Sequence, residues 1–172
     1  MNANGQYVEV NGRPAVRFER RYAHAPARVW AAIVDPEQSR HWFPSKLIIE
    51  DRVGGLVDFS DDPNQADGTG TVLAFDPPQR LEFSWGGDEL HFELTPDGDG
   101  CVLRLTNVLE ARDTAARNAS GWTVCLAELD KAMAGTPSDG PHSSEADAAF
   151  EGIYRDYITA GMPHGAPIPP MG

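Results

Sequence analysis

Apolar and polar residues alternate along several short stretches of the chain, a period of two that is typical of strands with one buried face. In the stretch RLEFSW, Leu81, Phe83 and Trp85 share one face, and Glu82 and Ser84 lie on the other. Turn-forming glycine, proline and aspartate separate the stretches with related patterns, which are AVRFERRYA, KLIIED, LVDFS, GTVLAF, ELHFELT and CVLRLTNVL. The pattern predicts an antiparallel sheet of about six or seven strands with one apolar and one solvated face.

Helical spacing replaces this alternation after the first predicted strand. Apolar residues at helical intervals predict a helix over 26–34, and Pro26 suits its first turn, where the missing N–H costs nothing. Asp35-Pro36 ends this helix, because the residue before a proline is pushed out of the helical region. The following PEQSRHWF predicts a second, short helix.

The longest helical pattern comes after the strands, in TAARNASGWTVCLAELDKAMAG. Its apolar positions recur at i, i+4, i+7 and i+11 and are Trp122, Leu126, Leu129 and Met133. Gly135 is expected to cap its C-terminus. Gly121 lies inside the helix at a cost of about 1 kcal/mol relative to alanine, which we interpret as a sign that another element approaches closely.

These patterns divide the chain into three parts. We expect residues 1–14 to be an N-terminal extension and 15–135 to be the folded domain. The segment 136–172 is expected to hold a linker, an amphipathic helix in SEADAAFEGIYRDYITA and a disordered end.

Charge and composition narrow the class of protein. The 172 residues carry a formal net charge of −12, which argues against nucleic acid as a partner because phosphate binding needs a basic patch. No apolar run reaches the ~20 residues of a membrane span, so no membrane insertion is expected, and without a visible signal peptide a cytoplasmic location follows by default. Cys101 and Cys125 are predicted to be reduced core residues.

The element order predicts an α+β architecture in which a curved antiparallel sheet wraps around the long C-terminal helix. Two short helices follow the first strand and close one end. Any space left between helix and sheet would be an apolar cavity.

Four pieces of sequence resemble a known family. They are APARVWAAIVDPEQSRHWF, the pair Gly54-Gly55 that opens a strand, GTVLAFDPPQRLEFSW and GWTVCLAELDKAM. In this order they resemble the SRPBCC superfamily, and within it most closely the homologues of the activator of a heat-shock chaperone ATPase, over about residues 15–135. The resemblance implies a helix-grip (START-like) fold, shared with birch-pollen-allergen-like proteins, with a deep and largely hydrophobic cavity. A fold implies less about function than a site does.

The candidate cavity residues are mostly aromatic or aliphatic, and each of them could equally be plain core. One polar residue joins them, because it shares a strand face with buried leucines. The set is Trp42, Phe43, Phe83, Trp85, Phe92, Asn107, Trp122, Leu126 and Leu129. Within it, Trp42 and Phe43 are predicted to form a lid over the cavity mouth.

Two further residues are candidate polar contacts. His41 could reach the cavity mouth or lie on the surface, and Asp58 could face the cavity or be a solvated carboxylate on its rim. The acids of SDDPNQAD do not have the spacing of an EF-hand loop, so we predict a solvated loop there. No motif for a cofactor or a metal is present, and no residue is assigned a catalytic role.

Three functions remain open on the sequence. The first is binding of a hydrophobic or aromatic small molecule, of the lipid or polyketide type, in the internal cavity. The second is an enzyme of the cyclase or hydrolase type acting on an aromatic or polyketide-like substrate. The third is a chaperone cofactor, which the family name suggests. A homodimer is left open as well.

Overall fold

The computed structural model describes residues 4–168, which form an eight-stranded antiparallel sheet and four α-helices. The strands are β1 (Gln6–Val10), β2 (Arg13–Tyr22), β3 (Lys46–Ile49), β4 (Leu56–Ser60), β5 (Gly68–Asp76), β6 (Arg80–Trp85), β7 (Asp88–Asp97) and β8 (Gly100–Val108). The helices are α1 (Pro26–Val34), α2 (Pro36–Ser39), α3 (Ala115–Ala134) and α4 (Ser144–Thr159).

The sheet order is β1-β2-β8-β7-β6-β5-β4-β3, so β3 to β8 form a meander and β2 returns beside β8. The face predicted to be apolar is the one that packs against α3: Leu81 and Phe83 are fully buried, as are Leu90 and Phe92 on the next strand. A sheet gripping one long helix confirms the α+β, helix-grip prediction.

The sheet has eight strands rather than six or seven, because β1 was missed. Asn11 and Gly12 both have positive φ, 51° and 78°, and join β1 to β2 with Val10 opposite Arg13. An Asn-Gly pair between alternating residues is the strongest short hairpin signal, because both residues tolerate the left-handed conformation of a type I′ turn. The strand over residues 6–10 therefore corrects the expectation that 1–14 is an extension, and α1 and α2 follow the second strand rather than the first. Residues 1–3 lie outside the described residues.

The first two helices begin and end where the prolines predict. Pro26 is the first residue of α1, and Asp35 lies between the helices in an extended conformation. Its side chain accepts a hydrogen bond from the Glu37 backbone N–H at 3.0 Å and so caps α2. These helices hold the indole of Trp42, whose Nε1–H donates to the Ala32 carbonyl at 2.9 Å.

Helix α3 packs its apolar face against the sheet and ends at Gly135, whose φ of 73° is the left-handed cap that the sequence predicts.

The phenol of Tyr22, at the end of β2, binds the last turns of α3 to the sheet. Tyr22 is 6% exposed, and its hydroxyl donates to Asp130 Oδ1 at 2.7 Å. Burial raises the pKa of Tyr22 far above its usual value of about 10, and the Asp130 carboxylate raises it further.

Replacing Tyr22 with phenylalanine should therefore change how stability depends on pH. In the wild type the unfolded phenol ionises near pH 10 and the folded one does not, so the stabilisation is complete below pH 10 and is lost as pH rises above it. Above pH 10, the free energy of unfolding of the wild type should fall by about 1.4 kcal/mol per pH unit. Tyr22→Phe should not show this fall. At pH 7 the variant should lose about 1–2 kcal/mol with the hydrogen bond. Urea unfolding at pH 7 and at pH 11 measures both effects; parallel pH profiles would contradict the assignment.

The segment after α3 belongs to the folded body. Tyr157 of α4 is buried, its hydroxyl lies 2.7 Å from Thr123 Oγ1 of α3, and it accepts a hydrogen bond from the Gly5 backbone N–H at 2.8 Å. The Pro163 carbonyl then accepts from the Ala116 N–H at 2.9 Å. The disorder expected for 161–172 is wrong for residues 161–168, and 169–172 lie outside the described residues.

Among residues 4–168, no helix is both long and apolar enough to cross a membrane. The homodimer left open by the sequence stays a prediction.

Candidate ligand-binding cleft

A cleft of about 520 Å³ opens at one end of α3. Its walls come from α3, from the β6–β7 turn with the end of β8, from the β4–β5 loop, and from the start of α4 with the residues before it. Ligand sites in proteins are concavities of about 300–1,000 Å³ with a mainly apolar lining and a few placed polar groups. The volume is within that range.

Gly121 provides the space on the helix side of the cleft. A Cβ built on it meets no atom within 4 Å, although the residue lies in the middle of α3. The close approach inferred from the sequence is therefore wrong, and the helix tolerates a glycine there because open cleft replaces the side chain. Gly86 and Gly87 keep the facing β6–β7 turn free of side chains.

Aromatic rings form the apolar part of the wall. Trp85, at the end of β6, stacks on Phe59 with ring centroids 4.8 Å apart and planes within 6°. Trp122 of α3 meets Trp85 edge to face at 6.2 Å, and Phe150 adds a ring from α4. Trp85 also stacks on Phe43 at 5.5 Å, and Trp122 lies 5.7 Å from the same ring, so core rings pack against both indoles.

A buried amide organises the polar part of the wall. Asn107 is 3% exposed, and its Oδ1 accepts from Trp122 Nε1 at 3.1 Å and from Asn118 Nδ2 at 3.0 Å. Its Nδ2 donates to Asp88 Oδ2 at 3.0 Å, and Asn118 Nδ2 donates to the same oxygen at 3.2 Å. Asp88 Oδ1 accepts from the Glu110 backbone N–H at 2.9 Å. This network fixes the indole of Trp122 against the end of the sheet.

The opposite side of the cleft is built by loops. Asp62, in the β4–β5 loop, has a side chain only 6% exposed, and its Oδ1 accepts from the Asn64 backbone N–H at 2.8 Å. His142 precedes α4; its Nε2 lies 2.6 Å from the Pro44 carbonyl oxygen and 3.8 Å from Asp62 Oδ1. The prediction of a solvated loop is wrong for Asp62, because the segment before α4 covers it.

Cys125 lies on the cleft wall next to Gly121 and Trp122. Burial raises the pKa of its thiol strongly, and the nearby carboxylates of Asp62 and Glu128 raise it further. The thiol is therefore neutral around pH 7, and the cleft holds no thiolate to act as a nucleophile.

Three of the nine residues predicted for the cavity line the cleft, namely Trp85, Asn107 and Trp122. The other six fill the core between sheet and helix, with at most 2% of their surface exposed: Trp42, Phe43, Phe83, Phe92, Leu126 and Leu129. For these six the alternative interpretation as plain core is the one the structure supports. Trp42 is fully buried with its indole N–H hydrogen-bonded, so the predicted lid role is wrong for it.

The two candidate polar contacts lie outside the cleft. Asp58 is exposed because its strand alternates, with Val57 and Phe59 facing inward. His41 is exposed, and its hydrogen bonds are made by the backbone: its N–H donates to the Gln38 carbonyl at 3.2 Å, and its carbonyl accepts from the Ser138 hydroxyl at 3.0 Å. Both belong to the solvated alternative that the sequence left open.

Sequence reasoning missed Asp62, Asp88, Asn118 and His142. Helical spacing could have found Asn118, because it lies four residues before Trp122 and so shares its face. The other three come from loops or a strand end, and only the folding of separate segments brings them together.

Comparison with known proteins agrees with this architecture. The sequence model of the family described as Activator of Hsp90 ATPase homolog 1-like protein matches residues 23–134. No significant match is found among curated proteins.

Several solved structures share the fold over most of their length. CalU16 from Micromonospora echinospora superposes with a TM-score of 0.69 at 22% identity, covering 91% of this chain and 93% of that one. EF2215 from Enterococcus faecalis, a conserved protein of unknown function, gives 0.71 at 19% identity, covering 91% and 89%. The product of gene BPP1335 from Bordetella parapertussis gives 0.69 at 22% identity, covering 95% and 96%. At such identities the likeness establishes the fold alone.

Proposed function

Because the chain belongs to the family of Activator of Hsp90 ATPase homolog 1-like proteins, a helix-grip family, we propose that it binds an aromatic small molecule reversibly in the cleft beside α3. The observation that carries the proposal is the open space over Gly121, bounded by the indoles of Trp85 and Trp122. Rings held in place by packing against other rings offer apolar surface to a ligand at little cost in conformational entropy.

The ligand we propose is amphipathic rather than purely hydrophobic. The interior between sheet and helix, where a wholly apolar ligand would lie, is occupied by Phe43, Phe83, Phe92 and their neighbours. The space that remains has aromatic rings on one side and carboxylate, amide and imidazole groups on the other. A ligand with an aromatic body and a polar group matches both sides.

Helix α4 gives the segment after residue 135 a role in the same proposal. Ala146, Asp147 and Phe150 contribute to the cleft wall, and α4 is fastened to α3 through Tyr157. We propose that this segment completes the binding site.

The two other functions have less support. Of the three polar groups that an enzyme hypothesis could use, His41 and Asp58 lie outside the cleft. Asn107 lines it, but its amide is engaged by Trp122, Asn118 and Asp88, and burial keeps the Cys125 thiol neutral. Nothing among the described residues favours a chaperone cofactor over ligand binding.

Native mass spectrometry of the protein purified from its own host tests the proposal. The expected result is a second species, heavier by the mass of one small molecule, that disappears on denaturation. Adding back the released molecule at about 100 times its dissociation constant should stabilise the fold by about 2.7 kcal/mol, a rise in melting temperature of roughly 5–10 °C. A protein that retains no molecule and whose melting temperature is unchanged by a broad library of aromatic compounds would overturn it.

A further inference from the structure

Asp62 is a largely buried carboxylate of the cleft, and the nearest group that can carry a positive charge is the imidazole of His142, 3.8 Å from Oδ1. Its side chain is 6% exposed, and Oδ1 accepts one hydrogen bond, from the Asn64 N–H. Within residues 4–168, no lysine or arginine forms an ion pair with it; Oδ2 receives no hydrogen bond and is not one of the fully buried unpartnered atoms, so it is open to the cleft. Because this oxygen lies on the cleft wall and receives no donor from the described chain, it can accept a hydrogen bond from a donor that comes from outside.

His142 does not donate a hydrogen bond to Asp62. Its Nε2 lies 3.8 Å from Asp62 Oδ1, beyond hydrogen-bond distance, and 2.6 Å from the carbonyl oxygen of Pro44. An N–H at that distance donates to the carbonyl. The imidazole therefore donates no hydrogen bond to the carboxylate, and it forms an ion pair with Asp62 only when it is protonated.

Most of the other charged side chains of the cleft have the same sign as Asp62. Four carboxylates line it, and they are Asp62, Asp88, Glu110 and Asp147. The single arginine in the lining is Arg117, which donates from Nε to Asn118 Oδ1 at 3.1 Å and from Nη1 to the Pro167 carbonyl at 3.2 Å. These bonds hold the guanidinium towards Asn118 and Pro167 and leave its charge in place. With four carboxylates against one arginine, the lining is net negative, which concentrates cations in the cleft.

The aromatic wall favours the same sign of charge. Trp85, Trp122 and Phe150 line the cleft, and aromatic rings attract cations through the negative side of their quadrupoles. An anionic ligand would meet four carboxylates and one occupied arginine. A cationic one would meet rings and an unpaired oxygen.

We propose that the cleft selects ligands in which a protonated amine is attached to an aromatic ring system, with the ammonium donating to Asp62 and the ring lying against Trp85 and Trp122. This proposal rests on the proposed function, because it assigns the chemistry of the ligand for the same site. Asp62 supplies charge selection, and the indoles supply affinity for the ring.

Three probes that differ only in the end group test the selection: 2-(1-naphthyl)ethylamine, 1-propylnaphthalene and 3-(1-naphthyl)propanoic acid. Their dissociation constants are measured by protein-observed NMR titration at pH 7. We expect the amine to bind the wild type at least about tenfold more tightly than the neutral probe, as a charge-assisted hydrogen bond allows, and the acid to bind most weakly. In Asp62→Asn, which keeps the acceptor for the Asn64 N–H, the preference for the amine should disappear while affinity for the neutral probe is unchanged.

Asp99→Asn is the matched control, since Asp99 is an exposed turn residue outside the cleft and its replacement changes the net charge by the same amount. It should preserve the preference for the amine. If the neutral probe binds as tightly as the amine, or if Asp62→Asn leaves the preference intact, charge selection by Asp62 is wrong although binding in the cleft stands. If none of the three probes binds and the native protein carries no molecule, the proposed function fails together with this inference. A loss of the amine preference in both aspartate variants would show a general charge effect and overturn the role of Asp62.

Discussion

Replacing Gly121 with phenylalanine is expected to abolish ligand binding in the cleft without unfolding the protein. The new side chain enters the space in which a Cβ has no neighbour within 4 Å, next to Trp122 and facing Trp85. It occupies the volume that we assign to the ring of the ligand. Because phenylalanine has a better helix propensity than glycine, by roughly half a kcal/mol, the free energy of unfolding should stay within about 1 kcal/mol of the wild type.

Gly152 supplies a matched control for this substitution. It lies inside α4, is exposed, and has no atom within 4 Å of a built Cβ, but it does not line the cleft. Gly152→Phe should bind ligand like the wild type. Titration of both variants with the molecule retained by the native protein, or with 2-(1-naphthyl)ethylamine, measures the difference. Equal affinities in Gly121→Phe and the wild type would place the ligand elsewhere.

Replacing Trp42 with alanine is expected to cause the largest loss of stability, about 3–5 kcal/mol. The indole is fully buried and packs edge to face on Phe43 at 5.7 Å and on Phe92 at 6.3 Å. Its removal opens a cavity in the core and leaves the Ala32 carbonyl without its donor. Because small domains are stable by only about 5–15 kcal/mol, much of the total would be lost.

Guanidinium unfolding measures the effect, with Trp42→Phe as the comparison. Phenylalanine keeps most of the buried ring and loses the hydrogen bond, so it should cost about 1–2 kcal/mol. A Trp42→Ala protein that unfolds like the wild type but binds ligand differently would contradict the core role and restore the lid that the sequence predicts.

The six predicted cavity residues that turned out to be core share one property. Phe83, Phe92 and Leu126 face the space between helix and sheet, as their periodicity says. Periodicity identifies the side that faces inward, and it carries no information on whether the inward space is filled. Here large rings fill it: Phe43 and Trp85 stack with centroids 5.5 Å apart, and Phe83 and Phe92 lie 6.0 Å apart. The cleft lies beyond these rings, at one end of the helix, where Trp85 forms its wall.

Local chemistry explains which elements the sequence could determine. The alternation of apolar and polar residues predicted the inner faces of β6 and β7. The prolines predicted where α1 and α2 begin and end, and Gly135 predicted the end of α3. Each of these features depends on residues within a few positions of one another. The Asn11-Gly12 turn belongs to the same class and was open to prediction.

The cleft belongs to a different class, since its residues come from segments far apart in the chain. Asp62, Asn107, Trp122 and His142 meet only when the β4–β5 loop, the end of β8, α3 and the segment before α4 are packed together. Asp62 is buried because His142 and its neighbours, far along the chain, pack beside it. The open space that allows a glycine at position 121 likewise depends on the segments packed around α3. The sequence by itself determined the elements, their inward faces and the family. The tertiary structure alone decided where space was left and which charges lie around it, because those are properties of packing between segments.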